Sequence, residues 1–394
     1  MTSTTSAHPG SIAFIEPAIT ACLDTIRRGI VRFGDLYPDD TTLHGRYPLR
    51  PAAQGFPLGG NRGWTTSFWA GLDWLGHDLT GDLDFLGAGL RHAADFGRRV
   101  NAGEDLDTHD LGFLYTLSCV TAWRATGDGK ARQAALAAAD HLMGRFLEPA
   151  GIIQAWGDLS DPQQRGRTII DSLMNMPLLS WAAAQTGDAR YTEVVDRHVH
   201  QLQRHIMRED DSTFHTFYWD PQTGRPLYGR TEQGAGDDSC WARGQAWGIY
   251  GFALNHRALG DPSLLDTARR CADKFLGSLP SDRVPYWDLV HGDGSDEPRD
   301  SSAGAIAVCG LLELADLDDD AARAQRYADA ARDLLEALVN RCTPALPESS
   351  DALLLHGVYD RPKDVGVDEG SLWGDYFYLE ALTRLRLPSW RPAW

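Results

Sequence analysis

The chain has 394 residues, 43% of them hydrophobic, with 37 basic and 55 acidic side chains and a net charge of −18. That balance excludes nucleic acid and anionic membrane surfaces as partners, while leaving room for a small anionic ligand held by local donors. No apolar run approaches bilayer length, the opening MTSTTSAHPG lacks the basic and apolar regions of a secretory leader, and no Pro/Gly/Ser-rich linker divides the chain, so a single domain spanning 1–394 in a soluble, cytoplasmic protein is expected.

Near the N-terminus, SIAFIEPAITACLDTIRRGIVRFG spaces its apolar residues three and four apart and predicts an amphipathic helix. Six further stretches, beginning near Trp64, His109, Ile170, Ser239, Ser301 and Gly370, are apolar on more sides and rich in Ala and Gly, as in ARGQAWGIYGFAL and SSAGAIAVCGLLEL. They suit a buried inner ring. Short turns follow at Thr80-Gly81-Asp82, Thr126-Gly127-Asp128, Thr186-Gly187-Asp188, Gly260-Asp261 and Asp318-Asp319-Asp320, each joining a helix stop to an N-cap carboxylate. More charged amphipathic stretches come next, such as ARQAALAAADHLMGRF and AARAQRYADAARDLLEALVNR, and these suit an outer ring. The N-terminal helix is expected as the outer partner of the Trp64 helix, and the Gly370 helix closes the ring. The result is an all-α toroid of six helical hairpins with its chemistry at the centre. Strand candidates are short: GRTII, STFHTFYWD, RPLY and VPYWDLV fall in the long connections, where small hairpins would rim a cleft.

Six cysteines, Cys22, Cys119, Cys240, Cys271, Cys309 and Cys342, lie far apart without metal-ligand spacing. They read as small buried hydrophobes, which disfavours a zinc site or a disulfide framework. No metal or cofactor is expected.

Chemistry-bearing residues gather at the starts of the inner helices. In DLDTHDLGFLY, His109 and Asp110 stand at a helix N-terminus, where Asp110 either caps the helix or works as an acid or base. Asp171 stands at the corresponding point of the next inner helix, in RTIIDSLMNMP, so the two carboxylates converge on one cleft. Its apolar neighbours Leu173, Met174 and Met176 should desolvate it and raise its pKa, as a proton donor active near neutral pH requires. The chain also holds 13 tryptophans, many beside polar residues, including Trp64, Trp69, Trp156, Trp241, Trp247, Trp287 and Trp373. Such mixtures suit sugar rings, whose C–H faces pack on indole while their hydroxyls seek polar side chains. Arg243 and Trp247 share a helix face, and a buried arginine there needs either an acidic residue of the chain or a ligand carboxylate. His215 and Gln233 lie in the long connection that would overhang the cleft.

Together WTTSFWAGLDWL, THDLGF, IIDSLMNMP, WARGQAWGIYG, DSSAGAIA and GSLWGDYFYLEAL resemble the unsaturated glucuronyl hydrolases of glycoside hydrolase family 88, over residues from about 60 to 386. The resemblance implies an (α/α)6 barrel and removal of a non-reducing-end 4,5-unsaturated uronic acid from lyase-generated oligosaccharides, glycosaminoglycan-type disaccharides above all. It implies protonation of C4 of the enol ether by an Asp, addition of water at C5, and collapse of the hemiketal. By motif position Asp171 matches the family's general acid/base and Asp110 its second essential Asp. Trp64, His109, Trp156, His215, Gln233, Arg243 and Trp247 match its substrate-site residues, with Trp64 and Trp156 stacking on sugar, Gln233 and His109 holding hydroxyls, and Arg243 facing the uronate or its neighbour. Ser371 and Trp373 are expected to reach the same cleft, and Tyr359 to border the second sugar subsite.

The related unsaturated rhamnogalacturonyl hydrolases share the barrel and the chemistry, and the His109-Asp110 pair with WARGQAW favours the glucuronyl family. An ordinary inverting glycosidase on this barrel predicts carboxyls roughly 6.5–9.5 Å apart. A sugar epimerase would need two bases on opposite ring faces, and a non-catalytic sugar-binding protein has no use for an Asp in an apolar pocket.

Overall fold

In the computed structural model, which describes residues 13–53 and 55–394, thirteen α-helical segments form two concentric rings. The MTSTTSAHPG segment lies outside the described residues. The inner ring consists of α2 (Thr66–Thr80), α4 (Leu111–Tyr115) continued through a π turn into α5 (Thr121–Thr126), α7 (Met176–Thr186), α9 (Ala242–Leu259), α11 (Ser301–Leu317) and α13 (Leu372–Arg386). Each packs on the next and α13 returns to α2, so the ring closes. Outside it lie α3 (Leu83–Ala102), α6 (Gly129–Met143), α8 (Ala189–His205), α10 (Pro262–Gly277) and α12 (Ala321–Cys342), each the hairpin partner of the inner helix before it, together with α1 (Ile15–Phe33). This is the (α/α)6 toroid that the periodicity predicts.

The turns work as their sequences imply. Gly81, Gly127, Gly187 and Gly260 end inner helices at φ of 70°, 73°, 75° and 72°, a left-handed conformation that favours glycine. Asp82, Asp128, Asp188, Asp261 and Asp320 then accept backbone N–H bonds at the starts of the outer helices. All six cysteines are free and buried.

One helix pairing differs from expectation. The Trp64 stretch already has a hairpin partner in α3 through the Thr80-Gly81-Asp82 turn, so α1 packs chiefly on α13 and fills the sixth outer position. Trp69 of α2 still reaches α1, where it occupies the space that a side chain on Gly29 would need.

Short strands rim one end of the ring. β1 (Phe146–Leu147) pairs with β2 (Ile152–Ile153), β3 (Arg167–Ile169), β4 (Thr216–Trp219) and β5 (Pro226–Arg230) form an antiparallel sheet, and β6 (Gly357–Asp360) pairs with β7 (Val365–Glu369). VPYWDLV is not a strand; only isolated bridges form, Tyr286 with Arg299 and Trp241 with Asp288. The reason is Asp288, whose buried carboxylate accepts bonds from Ala235 N–H, Ser239 Oγ–H and Val290 N–H and turns the chain into a clasp. At the opposite end, the Trp394 indole enters the ring, stacks on Phe377 at 5.9 Å and 14°, and donates to Glu380.

Candidate active site

All inner helices start at the strand-bearing end, and a cavity there is lined by Trp64, His109, Asp110, Trp156, Ile169, Asp171, His215, Gln233, Trp241, Arg243, Trp247 and Tyr359. Size alone does not select it. A groove between α1 and α12, lined by Phe14, Cys22, Val339 and Tyr378, is larger, about 250 Å³ against about 180 Å³, but it brings no acid–base pair together.

Two motif residues fix the spacing of the carboxylates. A Cβ on Gly112 would sit 2.2 Å from the Asn175 Cα, so only glycine lets α4 lie directly on the turn that carries Asp171. The Asn175 side chain then accepts the Phe113 N–H at 2.8 Å. Gly112→Ala should force these elements apart and lower kcat/KM by about 10²-fold, while far-UV circular dichroism stays unchanged; an unaltered kcat/KM would break the link between this contact and the site.

Asp110 occupies the N-cap position of α4, yet its side chain makes no capping bond. Its Oδ2 accepts from Thr108 Oγ at 2.7 Å, and Oδ1 lies 3.3 Å from His109 Nε2. Asp171 sits in a 3-10 turn (Ile170–Met174) ahead of α7. That turn is braced from behind by a buried chain of bonds in which Ile153 N–H donates to His198 Nδ1, His198 Nε2 meets Ser172 Oγ at 2.9 Å, and Ser172 Oγ–H donates to the Ile169 carbonyl. Burial, with His109 nearby, pushes the His198 pKa down to about 3, which keeps Nδ1 an acceptor.

The Asp171 side chain is 14% exposed and lies 3.5 Å from His109 Nε2, and its Oδ1 has no hydrogen-bond partner among the described residues. Burial and then the negative charge of Asp110 raise its pKa well above the usual carboxylate range, with Arg243 opposing. His109 is pushed the other way by burial, so its imidazole stays neutral. His109 Nε2 and one oxygen of each carboxyl lie within 4.8 Å of one another. These are donor types a divalent cation accepts, although only three of them are present. Nearest carboxyl oxygens this close favour a cooperating pair over the carboxyl separation of roughly 6.5–9.5 Å of an inverting one.

Arg243 has the intramolecular acid that its burial demands. Its guanidinium donates to Asp300 at 3.1 Å, to Gln233 Oε1 at 2.7 Å, to the Tyr359 carbonyl at 2.8 Å and to the Val358 carbonyl. The Arg243 fork therefore ties the loop bearing Gln233 to the β6–β7 hairpin bearing Tyr359. The Tyr359 hydroxyl in turn accepts from Trp64 Nε1 at 3.0 Å. His215 contacts Trp241 at 4.6 Å between ring centres, and burial, with Arg243 adding to it, lowers its pKa to about 3.

Ten of the twelve residues singled out in the sequence line this cavity, and two stand behind it. Ser371 caps α13 by accepting the Gly374 N–H. Trp373 is fully buried, bonded to Ser302 and stacked on the rear of Trp64 at 5.2 Å. Their helix start reaches the cleft, but its first turn is taken up by the cap and by support of Trp64. Ile169 and Trp241 line the cavity without having been assigned to it. Trp241 carried a signal in the tryptophan pattern, whereas an isoleucine on a strand carries none.

Residues 61–345 match the Glycosyl Hydrolase Family 88 family. An unsaturated chondroitin disaccharide hydrolase of Streptococcus pneumoniae (strain ATCC BAA-255 / R6) is 45% identical over 96% of this chain and 93% of its own length. An unsaturated glucuronyl hydrolase of Bacillus sp. (strain GL1) is 44% identical over 94% and 96%. The crystal structure of unsaturated glucuronyl hydrolase from Streptococcus agalactiae superimposes with a TM-score of 0.91 at 39% identity, covering 100% of this chain and 99% of that one. With family motifs, near-complete relatives and a shared toroid in agreement, the chain belongs to glycosyl hydrolase family 88.

Proposed function

We propose that this protein is a glycoside hydrolase that removes the non-reducing-end 4,5-unsaturated uronic acid from glycosaminoglycan-derived oligosaccharides, and that one domain spanning the chain does so in the cytoplasm. Relatives named for chondroitin disaccharides and for glucuronyl substrates support the substrate class. The observation that carries the reaction is the pairing of Asp171, buried and shifted toward its protonated form, with Asp110 beside it.

Asp171 transfers its proton to C4 as the C4=C5 π electrons form the new C–H bond. Positive charge develops at C5 and the ring oxygen, where ionised Asp110 stabilises it. Water then adds at C5 and returns a proton to the Asp171 carboxylate. The resulting hemiketal opens by cleavage of the bond between C5 and the ring oxygen, leaving a C5 ketone and a C1 hemiacetal that expels the remaining sugar. No step calls on a metal or cofactor. Trp64 and Trp156 serve as stacking faces, and neutral His109 and His215 with Gln233 hold hydroxyls. Arg243 acts mainly from behind, by fixing Gln233 and Tyr359, while its charge offsets the uronate.

The pH profile tests these assignments. Because Asp171 must be protonated, kcat/KM should fall as pH rises through its raised pKa. Asp110 contributes to that raised value, so in Asp110→Asn the residual activity should show its alkaline limb at lower pH. An unmoved or upward-shifted limb would assign it to another group.

A further inference from the structure

The β3–β4–β5 sheet places Arg167 opposite Tyr218 and Tyr218 opposite Tyr228, and Ile169 opposite Thr216 and Thr216 opposite Arg230. Side chains alternate across a strand, so these six share one face. Ile169 on that face lines the active-site cavity, and the Arg167 guanidinium lies 4.7 Å from the ring of Trp156, another lining residue. The sheet face is therefore a continuation of the cavity wall. Its other face is spent on the core, where Thr168 and Phe217 are buried.

On the cavity side, Tyr218 and Tyr228 stack at 5.0 Å and 24°. Tyr228 is 52% exposed on an edge strand, and a flat pair of phenols in water is a ready surface for the C–H face of a sugar ring. Charge on this face is mixed. The Arg230 guanidinium has its carboxylate neighbour Glu232 no nearer than 4.0 Å, while Glu232 accepts the Tyr218 hydroxyl at 3.4 Å and the Arg167 Nε–H is held by the Gln164 carbonyl. Tyr218 lies one strand spacing and Tyr228 two, about 5 and about 10 Å, from Arg167, so the pair steps outward from the cavity wall.

We propose that the Tyr218–Tyr228 pair is a distal subsite that stacks the third sugar of longer unsaturated oligosaccharides, with Arg230 facing that sugar's carboxylate. The inference rests on the activity proposed above. In a polymer that alternates uronate and amino sugar, the third unit is again a uronate, so an arginine at the platform's edge matches the charge that would arrive there. The subsite gives the protein a preference for tetrasaccharides that a disaccharide-only cavity lacks.

The test compares kcat/KM for the unsaturated disaccharide and the unsaturated tetrasaccharide from a lyase digest of unsulfated chondroitin, using wild type, Tyr228→Ala, Tyr228→Trp and Arg230→Gln. Tyr228→Ala should lower the tetrasaccharide value by about 3- to 10-fold and leave the disaccharide value unchanged. Tyr228→Trp should retain the tetrasaccharide value, and Arg230→Gln should lower it and remove its salt dependence. Equal effects on both substrates, or none on either, would overturn the platform while wild-type hydrolysis leaves the parent reading intact. No wild-type hydrolysis of either substrate would overturn that reading, and the platform with it.

Discussion

Asp171→Asn should fold as well as the wild type and lose about 10³-fold or more in kcat, within or above the range of about 10²- to 10⁴-fold for removal of a general acid. An amide keeps the size of the carboxyl but cannot deliver a proton to carbon, and the neighbouring His109 is held neutral by burial. Stability should be unchanged or slightly raised, because the substitution removes a buried acid that burial and the Asp110 charge both disfavour in its ionised form. The loss should therefore appear in kcat with a melting temperature no lower than that of the wild type. Retained turnover would move the proton-donating role to another residue.

Arg243→Ala should act by a different route. It leaves Asp300, a fully buried carboxylate, without its cation, and the cost of breaking such a pair is about 3–5 kcal/mol of folding stability. It also frees the Gln233 loop from the Val358–Tyr359 backbone, so kcat/KM should fall alongside the melting temperature. Arg243→Lys keeps the charge but not the planar fork, and should recover part of the stability with little of the activity. If Arg243→Ala weakened the KM for the uronate with no change in melting temperature, the guanidinium would be a ligand contact rather than a tie between loops.

The two arginine readings show where sequence stops. WARGQAW announces a buried arginine, but its acid, Asp300, comes from 57 positions further on, and only the closed ring brings them together. By contrast the inner and outer helices were legible because their signals are local: a left-handed glycine at the end of one helix, an aspartate capping the next, and an apolar stripe whose width separates buried from half-exposed helices. The N-terminal helix was assigned to the wrong inner partner because ring closure is a long-range property and α1 touches both α2 and α13.

The site was readable to a similar depth. Asp110 and Asp171 stand out as acids where helices begin, and the Gly112 and Asn175 of the same two motifs turn out to set their separation. Trp373 misled because stacking against the rear of Trp64 and lining the cleft leave the same tryptophan-rich pattern in the sequence. The β6–β7 hairpin was missed although GVYD and VGVDE flank a turn in which Asp364 takes a φ of 55°. Its β-branched residues were there to be read, and the charged Arg-Pro-Lys-Asp between them obscured the pairing.

The most direct test of the central claim follows the absorbance of the conjugated double bond when purified protein meets unsaturated disaccharides, with the matching saturated glucuronides assayed beside them for sugar release. Hydration by Asp171 predicts loss of absorbance with the unsaturated substrates and no release from the saturated ones. Comparable cleavage of saturated glycosides would contradict it, because no enol ether is there to protonate.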